Sequence, residues 1–516
     1  MSYSPALGST ISNTKMRTPE NVSPYSGMCA VCTANCIGTC EIGLSAVRGS
    51  EATFPYRRDI NQFASEKDYP LDFSHLSING RVFGALGCKE DADEATYPKA
   101  KTETEFGIKN KVKMKMPIIL PAIAKLNWKD YYVGAALAGV SVVIGEDAIP
   151  NDKNLVLEKG KVVSSPLVEE MVNDFRKYSR GYGEIIMQAS YDDENSGVLD
   201  YVTTKLGVKS VELKFGQAAK GIQGMGRINS LEEALKLQEK GYLIYPDPSD
   251  PTVAENFRNG KGPVFEKIGK LPIWNEEILK NRIAHLRKLG AERICFKTGP
   301  FDPKDLIRIL KIASENEVDL VTFDGAGGGT GNSPVKMMNE WGMPTLYLES
   351  MLYDILKRMD EKGYFLPQVA ITGGFTLEDH IFKGLALGAP YIQFVAVGRA
   401  AMAAAMVGKQ VGELIEAGNV PKEYQSFGSK KEEIFADIRE LKLYYDKAED
   451  LPTGAVGVYS YISRIAAGMK QLMALNRKFD IKYIDRSDIF PLTDLAAQVT
   501  GLDTYEDVYV RELEKL

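Results

Sequence analysis

The stretch QVAITGGFTLEDHIFKGLALGAPYIQFVAVGRAAM, residues 368–402, has two short apolar segments on either side of a segment long enough for a helix. The apolar segments VAI and FVAV are rich in β-branched side chains and each is soon followed by glycine, which is typical of buried parallel strands. The segment between them, TLEDHIFKGLALG, can form the helical crossover that parallel neighbours require. The pattern therefore predicts a β-α-β unit.

The same alternation extends over residues 117–406 and gives eight candidate strands. They begin near Pro117, Val140, Glu184, Ser210, Arg293, Asp319, Gln368 and Tyr391. Eight such units fit a closed (β/α)8 barrel better than an open sheet, and polar or glycine residues follow most of the strands. We predict an α/β fold, a TIM-type barrel with its chemistry at the carboxyl ends of the strands.

Three other regions differ from the barrel in composition. Residues 1–59 form a Ser/Thr-rich module with clustered cysteines, and residues 60–116 form a charged connecting region. Residues 407–516 predict a helical C-terminal extension, with KKEEIFADIRELKLYYDKAED and VYSYISRIAAGMKQLMALNRKF as its main helical segments. An insertion at 221–275 is rich in Gly, Pro and Asp rather than in helix formers, which predicts a long loop over the barrel mouth.

Composition excludes several classes of protein. The 516 residues are 44% hydrophobic and carry 63 basic against 69 acidic side chains, so the net charge is -6. A mildly acidic chain without a long basic run predicts no nucleic-acid partner. The longest apolar stretch, 134–145, is about half of a membrane span, and no signal-peptide core precedes it. We expect a cytoplasmic protein with no membrane partner.

Two glycine-containing turns predict a phosphate site. Gly373 and Gly374 follow the seventh strand, and Gly398 and Arg399 follow the eighth, each before a helix-like segment. Glycine lets the backbone approach a ligand closely, the helix-start N–H groups face an anion, and Arg399 adds a cation. The alternative is that these are ordinary turn glycines. Their place after consecutive strands favours a phosphorylated substrate or flavin mononucleotide.

A third glycine-rich loop follows the sixth strand in DGAGGGTGNSP, residues 324–334. So many glycines indicate repeated positive φ or a backbone that passes close to a flat ligand. A flexible linker is the alternative, but such a linker would carry more serine and would lie between domains.

Charged and amide side chains end several other strands. The fourth strand, VELKFGQAAKG, carries Lys214, Gln217 and Lys220 to the barrel mouth, where lysines can hold carboxylates or a reduced flavin, although lone lysines are more often surface charges. Lys297 follows an apolar run and needs an anionic partner, either a ligand or a barrel carboxylate. The remaining candidates are Gln188, Ser190 and the Gly145-Glu146-Asp147 segment.

These motifs resemble a known family. VELKFGQAAKGIQGMG, FDGAGGGTGNSP, AITGGF and FVAVGRAAM occur in this order and are similar to the FMN-binding synthase domain of the glutamate synthase family, whose motifs are of the type IEIKxGQGAKPGEGG, SGxDGGTGASP, TDGGL and GFGxxxxxA. The C-terminal IDRSDIFPLTDLAAQVTGL is also similar to short, stand-alone forms of that family.

The resemblance implies an FMN barrel that reduces 2-iminoglutarate, formed from 2-oxoglutarate and ammonia, to L-glutamate. It implies that Glu146, Lys214 and Lys220 act in catalysis and that Ser190, Gln217 and Lys220 bind the keto acid. The implied cofactor-binding residues are Ala122, Gln188, Lys297, Asp324, Gly325, Gly328, Gly329, Thr330, Gly373, Gly374, Gly398 and Arg399. A dicarboxylate substrate and an anionic reduced flavin both favour lysines.

The chain also departs from this family. Ser2 stands where the glutaminase domain of the large enzymes has a nucleophilic cysteine, so ammonia must be free or come from a separate glutaminase subunit. The cysteines that normally follow the last strand and hold a [3Fe-4S] centre are replaced by MAAAMVGKQVG. The C-terminal β-helix region is also missing.

Four cysteines near the N-terminus offer a replacement. Cys29, Cys32, Cys36 and Cys40 lie in a short loop, which favours a [4Fe-4S] cluster, with structural zinc as the alternative. Cys88 and Cys295 are isolated, and Cys295 is expected in the core.

We therefore predict a glutamate synthase type oxidoreductase acting on CH-NH2 donors, with electrons relayed through the cluster. The expected partners are ferredoxin or a pyridine-nucleotide oxidoreductase subunit, and the chain itself is expected to form a homo-oligomer. The sequence has no Gly-x-Gly-x-x-Gly motif after a predicted strand, so direct binding of NAD(P)H is unsupported. The alternatives are a flavoenzyme for another amino or hydroxy acid, such as N-methylglutamate synthase, a non-catalytic FMN and iron-sulfur electron-transfer subunit, and a sugar-phosphate isomerase.

Overall fold

A computed structural model describes most of the chain. The described residues are 41–49, 65, 67–123, 127–146, 148–218, 226–261, 264–271, 273–328 and 333–516. The four clustered cysteines lie outside these residues, as do Asp147, Lys220, Gly329 and Thr330.

Eight parallel strands close into a barrel in chain order, and the fourth strand pairs with the fifth. The strands are β1 (Ile118–Leu120), β2 (Ser141–Ile144), β3 (Ile185–Ala189), β4 (Ser210–Lys214), β5 (Arg293–Thr298), β6 (Leu320–Asp324), β7 (Gln368–Thr372) and β8 (Phe394–Ala396). Each strand lies within or next to one of the eight predicted segments, so the barrel prediction is confirmed. The strands are almost entirely buried on both faces because helices cover their outer face. Cys295, in β5, is fully buried, as expected for a core residue.

Helices follow every strand and form the outer layer. They span Trp128–Ala138, Ala148–Asn151, Pro166–Tyr178, Tyr191–Ser196, Val198–Lys205, Glu276–Leu289, Pro303–Glu315, Val335–Glu340, Thr345–Glu361, Glu378–Gly388 and Arg399–Glu416. A short antiparallel hairpin, Val156–Glu158 with Lys161–Ser164, precedes the helix Pro166–Tyr178. Proline in the first turn starts two of these helices, Pro166–Tyr178 and Pro303–Glu315, because its missing N–H is not needed there.

The insertion after β4 is a small folded unit, and the prediction of a long loop was wrong. It contains a three-stranded antiparallel sheet and two helices. The strands are Gly226–Ile228, Leu243–Tyr245 and Phe265–Ile268, and the helices are Leu231–Glu239 and Pro251–Arg258. Its Asp and Pro residues mark a helix start, since Asp250 accepts the N–H groups of Thr252 and Val253 and Pro251 opens the helix. Ile244 and Phe265 anchor a separate apolar core.

The region before the barrel packs against both of its ends. Strand Leu76–Ile78 pairs antiparallel with Ile489–Pro491 near the C-terminus, and the hairpin Thr104–Phe106 with Val112–Met114 lies against the start of the barrel strands. Turns of 3-10 helix span Phe73–His75 and Tyr97–Lys99, and the helix Glu41–Arg48 is described nearer the N-terminus.

The C-terminal region contains one long helix and several short ones. The helix Thr453–Leu475 packs on Trp128–Ala138 and Arg399–Glu416, and the contact is close because a Cβ at Gly408 would lie 2.6 Å from the Thr453 carbonyl oxygen. The segment KKEEIFADIRELKLYYDKAED, which was predicted to be helical, instead forms two single helical turns, Lys431–Ile434 and Ile438–Leu441. Phe435, which lies between them, has an extended backbone and separates the turns. This region also contains the helices Asp494–Thr500 and Tyr505–Leu513 and 3-10 turns at Gln425–Phe427, Ala448–Asp450, Ile481–Tyr483 and Arg486–Asp488. Across the described ranges, no helix is both long and apolar enough to cross a membrane.

Candidate functional site

A cavity of about 440 Å³ opens at the carboxyl end of the barrel strands. Its floor is built by one side chain from each of the eight strands. In chain order these are Ile119, Val143, Gln188, Glu212, Lys297, Thr322, Thr372 and Ala396. Active sites of this fold lie at this end of the barrel, so the cavity is the candidate functional site.

The cavity floor divides into an apolar side and a polar side. Strands β8, β1 and β2, which are neighbours in the barrel, contribute Ala396, Ile119 and Val143. The loop after β1 extends the apolar side with Pro121, Ala122 and Ile123. The other five strands contribute amide, hydroxyl and charged side chains. A flat ligand with one apolar and one polar edge would match this division.

On the polar side, two buried strands place a carboxyl group beside an amide. Gln188 and Glu212 are direct neighbours across β3 and β4, and Gln188 Nε2 donates to Glu212 Oε1 at 2.5 Å. Glu212 is only 2% exposed. Burial raises the pKa of this carboxyl, while Lys297, Gln188 and Lys214 act in the opposite direction.

Lys297 and Asp324 form a second polar pair. The Lys297 ammonium nitrogen lies 3.6 Å from Asp324 Oδ2, and the same oxygen accepts the backbone N–H of Ala218 at 3.1 Å. This carboxylate therefore links the turn after β4 to the end of β6. The lysine has the anionic partner that its burial requires.

Gly373 and Gly374 form a turn with a backbone that favours glycine. Their φ angles are +127° and +103°, and a Cβ on Gly373 would lie 2.7 Å from the Gly325 carbonyl oxygen. Thr345 Oγ1 donates to the Gly373 carbonyl oxygen at 2.7 Å and fixes the turn from behind. The backbone can therefore pass close to a ligand at this point.

Gly398 and Arg399 bring a helix N-terminus to the same cavity. The helix Arg399–Glu416 has 18 residues, and Gly398, its first capping position, supplies no side-chain acceptor for the N–H groups. Arg399 and Ala400 line the cavity. Burial lowers the pKa of the Arg399 guanidinium, and the charge of Asp324 opposes that shift. A helix N-terminus, a guanidinium and a glycine turn together are chemically suited to bind a phosphate, and we refer to these three elements as the phosphate cradle.

A second cluster lies beside the cavity at the ends of β2, β3 and β4. Lys214 Nζ lies 2.9 Å from Glu146 Oε1, and neither residue lines the cavity. Ser190 donates through Oγ to Asp193 Oδ2 at 2.9 Å and caps the helix Tyr191–Ser196. Burial raises the pKa of Asp193 to about 8, and the charge of Glu146 adds to this effect.

The structure thus brings most of the predicted cofactor residues around one cavity. The residues that line it are Ala122, Gln188, Gln217, Lys297, Asp324, Gly328, Gly373, Gly374, Gly398 and Arg399. Gly325 lies behind the wall, where a Cβ would meet Thr345. Lys214, Glu146 and Ser190 lie in the adjoining cluster, so the predicted substrate-binding and catalytic residues are divided between the two places.

Sequence reasoning missed Glu212, Thr322 and Thr372 on the floor. A signal for Glu212 was present in VELK, because a charged residue two positions before Lys214 shares its face of the strand. The threonines gave no such signal, since threonine is common in ordinary strands. Within the described residues, no group of three or more His, Cys, Asp or Glu side chains could hold a metal ion.

Residues 270–410 match a family model described as the conserved region in glutamate synthase. These residues include β5 to β8, the described part of the glycine-rich loop and both turns of the phosphate cradle. The resemblance inferred from the motifs is therefore confirmed over this part of the chain. No curated protein matches the sequence.

Several solved structures are similar in fold at low sequence identity. A flavocytochrome b2 with sulfite bound is 15% identical, with a TM-score of 0.47, and covers 85% of this chain and 81% of its own. A mandelate oxidase mutant with a monooxide FMN adduct is 13% identical, with a TM-score of 0.42, and covers 80% of this chain and 87% of its own. At sequence identities and TM-scores this low, the similarity to these structures supports no conclusion about the ligand or the reaction of this chain.

Proposed function

We propose that this protein is an FMN-dependent oxidoreductase. The observation that carries the proposal is the cavity at the carboxyl end of the barrel, where a phosphate cradle and a floor with one apolar and one polar side meet. Its volume of about 440 Å³ lies within the range of roughly 300–1,000 Å³ that is usual for small-molecule sites.

The residues of the cavity fit this cofactor. The Gly373-Gly374 turn and the start of the helix Arg399–Glu416 would hold the phosphate, because both present backbone or cationic groups to an anion. An isoalloxazine ring has an apolar dimethylbenzene edge and a polar pyrimidine edge, which matches the two sides of the floor. Gln188 and Lys297 would hold its polar edge.

When bound, FMN supplies hydride transfer. The chain's own residues bind it, orient it and stabilise negative charge. Lys297 is buried at the floor, where a fixed ammonium stabilises an anion more strongly than it would in water. Asp324 holds this lysine and the turn that carries Gln217, so both lie at the cavity wall.

We further propose a reaction of the glutamate synthase type, in which 2-iminoglutarate is reduced to L-glutamate. The family match supports this assignment, and the Lys214–Glu146 cluster supplies a cation for a substrate carboxylate beside the cavity. Lys220 and Ser190 would complete the substrate site. Electrons would enter through the cluster at Cys29, Cys32, Cys36 and Cys40, supplied by ferredoxin or by a pyridine-nucleotide oxidoreductase subunit.

The test begins with cofactor content. Protein purified without oxygen should contain FMN in a ratio near one to one, and the apoprotein should bind FMN more tightly than riboflavin. After reduction of the flavin, 2-oxoglutarate with ammonium should reoxidise it and yield L-glutamate. Pyruvate and lactate serve as comparison substrates, and iron and zinc analysis identifies the metal of the cysteine cluster.

A matched pair of lysine variants tests the substrate site. Lys214→Met should raise the KM for 2-oxoglutarate, whereas Lys236→Met should not, although Lys236 is also paired with a glutamate, at 2.7 Å. A colourless protein that binds no flavin would overturn the FMN proposal. A flavoprotein that responds to another amino or hydroxy acid would overturn only the glutamate assignment, and one that responds to no acid would point to an electron-transfer subunit.

A further inference from the structure

Glu212 occupies an unusual place for a carboxyl group. It lies in the middle of β4, with Gln188 of β3 and Cys295 of β5 as its direct neighbours across the sheet. It is 2% exposed, and its side chain is part of the cavity floor. A charge in such a position is costly unless it is paired and hydrogen-bonded.

The contacts of Glu212 indicate that it fixes the position of a neighbouring side chain. It accepts the amide of Gln188 at 2.5 Å, and the charges of Lys297 and Lys214 both favour its ionised form. Cys295 of β5 is the direct neighbour of Glu212. Lys297 lies two positions further along β5, so its side chain is on the same face of the strand as that of Cys295. The two lysines and Glu212 thus form one electrostatic group around the polar side of the cavity.

The barrel does not need this carboxyl group for its packing. The corresponding floor positions on β1, β2 and β8 are Ile119, Val143 and Ala396, which fill the layer without charge. A glutamate beside Lys297 at the cavity floor, with Lys214 in the adjoining cluster, instead reduces the positive potential there.

We propose that Glu212 is a positioning residue that holds Gln188 at the cavity floor and, by its negative charge, lowers the reduction potential of the bound flavin. This inference rests on the proposed FMN function. A fixed negative charge in a buried site disfavours the addition of electrons nearby, while the Lys297 ammonium favours it. The potential is therefore set by the balance of the two groups.

The experiment measures the midpoint potential of the FMN-loaded protein by spectroelectrochemical titration. Glu212→Gln keeps the shape and removes the charge, and it should favour the reduced flavin at least tenfold, a positive shift of about 30 mV for a two-electron couple. Lys297→Gln should shift the potential in the negative direction. Glu212→Asp keeps the charge and should restore most of the wild-type value.

Glu349→Gln is the matched control, because Glu349 is also fully buried but does not line the cavity. Burial raises the pKa of Glu349 well above its ordinary value, and because its side chain is not part of the cavity floor, the potential should not move. An unchanged potential in a folded, flavin-loaded Glu212→Gln protein would overturn the inference. If Glu212→Gln does not fold, Lys297→Gln becomes the test, and an unchanged midpoint potential in Lys297→Gln overturns the inference. A wild-type protein without flavin would contradict the proposed function instead.

Discussion

The two ends of the barrel contain buried charges on the same strands, but their partners differ. At the amino end, Arg293 of β5 donates to Ser210 Oγ, to the Asn110 carbonyl oxygen and to Glu184 Oε2, each at 2.7 Å. At the carboxyl end, Lys297 of the same strand has Asp324 Oδ2 at 3.6 Å, which is longer than a hydrogen bond.

The amino end is closed by the hairpin before the barrel. Asp319 accepts the N–H groups of Ile108 and Ile294 at 3.0 and 2.9 Å. Gln368 accepts the N–H of Gly107 at 2.8 Å and donates to the Glu105 carbonyl oxygen at 2.9 Å. The polar groups of this end are thus used within the protein, which is the pattern of a structural seal.

At the carboxyl end the polar groups surround a cavity. Glu212, Lys297 and Asp324 are all buried or half-buried, and each contributes to the cavity wall. The same kind of side chain on the same strands therefore supports stability at one end and ligand binding at the other. The two cations of β5 show the difference, because Arg293 donates three hydrogen bonds of 2.7 Å whereas Lys297 has a carboxylate oxygen at 3.6 Å.

The largest effect is expected from breaking the sealed end. Arg293→Met should lower the free energy of unfolding by about 3–5 kcal/mol, because the half-buried Glu184 would lose its cation and the buried Ser210 hydroxyl and the Asn110 carbonyl would lose their donor. Chemical denaturation of the apoprotein measures the change. Arg308→Met removes an exposed pair with Glu276 and should cost under about 1 kcal/mol. Equal losses in the two variants would show that the amino end is not a seal.

The fold could be predicted from the sequence because parallel strands in a barrel are short, apolar and regularly spaced. The eight segments, the first of which begins near Pro117 and the last near Tyr391, carry this pattern on both sides of the insertion. The insertion at 221–275 could not be predicted in the same way. Among its described residues, the core has five buried members, such as Phe265, which are too few to show a clear period, and its Asp and Pro residues suit both loops and helix starts.

The cavity was partly predictable for a similar reason. Glycines at 373 and 374 are visible in the sequence because few other residues meet their backbone requirements. The division of Lys214 and Lys297 between two neighbouring clusters was not visible, because it depends on which carboxylate each lysine reaches across the barrel. Long-range pairing of this kind is a property of the closed barrel and leaves no local pattern.

The second prediction concerns the glycine turn at the open end. Gly373→Ala should weaken FMN binding by roughly tenfold to a hundredfold, because the new methyl group would meet the Gly325 carbonyl oxygen and move the turn. Titration of the apoprotein with FMN measures the affinity. Gly363→Ala is the control, since Gly363 also has a positive φ, +74°, but has open space around its Cβ. It should lose a little stability and bind FMN normally.

The third prediction separates phosphate binding from ring binding. Arg399→Ala should weaken FMN binding by about 1.5–3 kcal/mol, the usual contribution of a charge-assisted hydrogen bond, and should leave riboflavin binding unchanged. Arg358→Ala, which removes an exposed arginine paired with Glu361, should change neither affinity. An equal loss for both ligands in Arg399→Ala would place the phosphate elsewhere.

The last prediction is a pH dependence that comes from Asp193 at the open end. Its pKa of about 8 in the folded protein lies above the ordinary value near 3.8, so the folded state keeps a proton that the unfolded state loses between these two values. The free energy of unfolding should therefore fall as the pH rises toward 8, by at most about 1.4 kcal/mol per pH unit. Asp193→Asn should reduce this slope, while Asp247→Asn, at an exposed position, should not. A slope that persists unchanged in Asp193→Asn would show that Asp193 is not the group that keeps its proton in the folded protein.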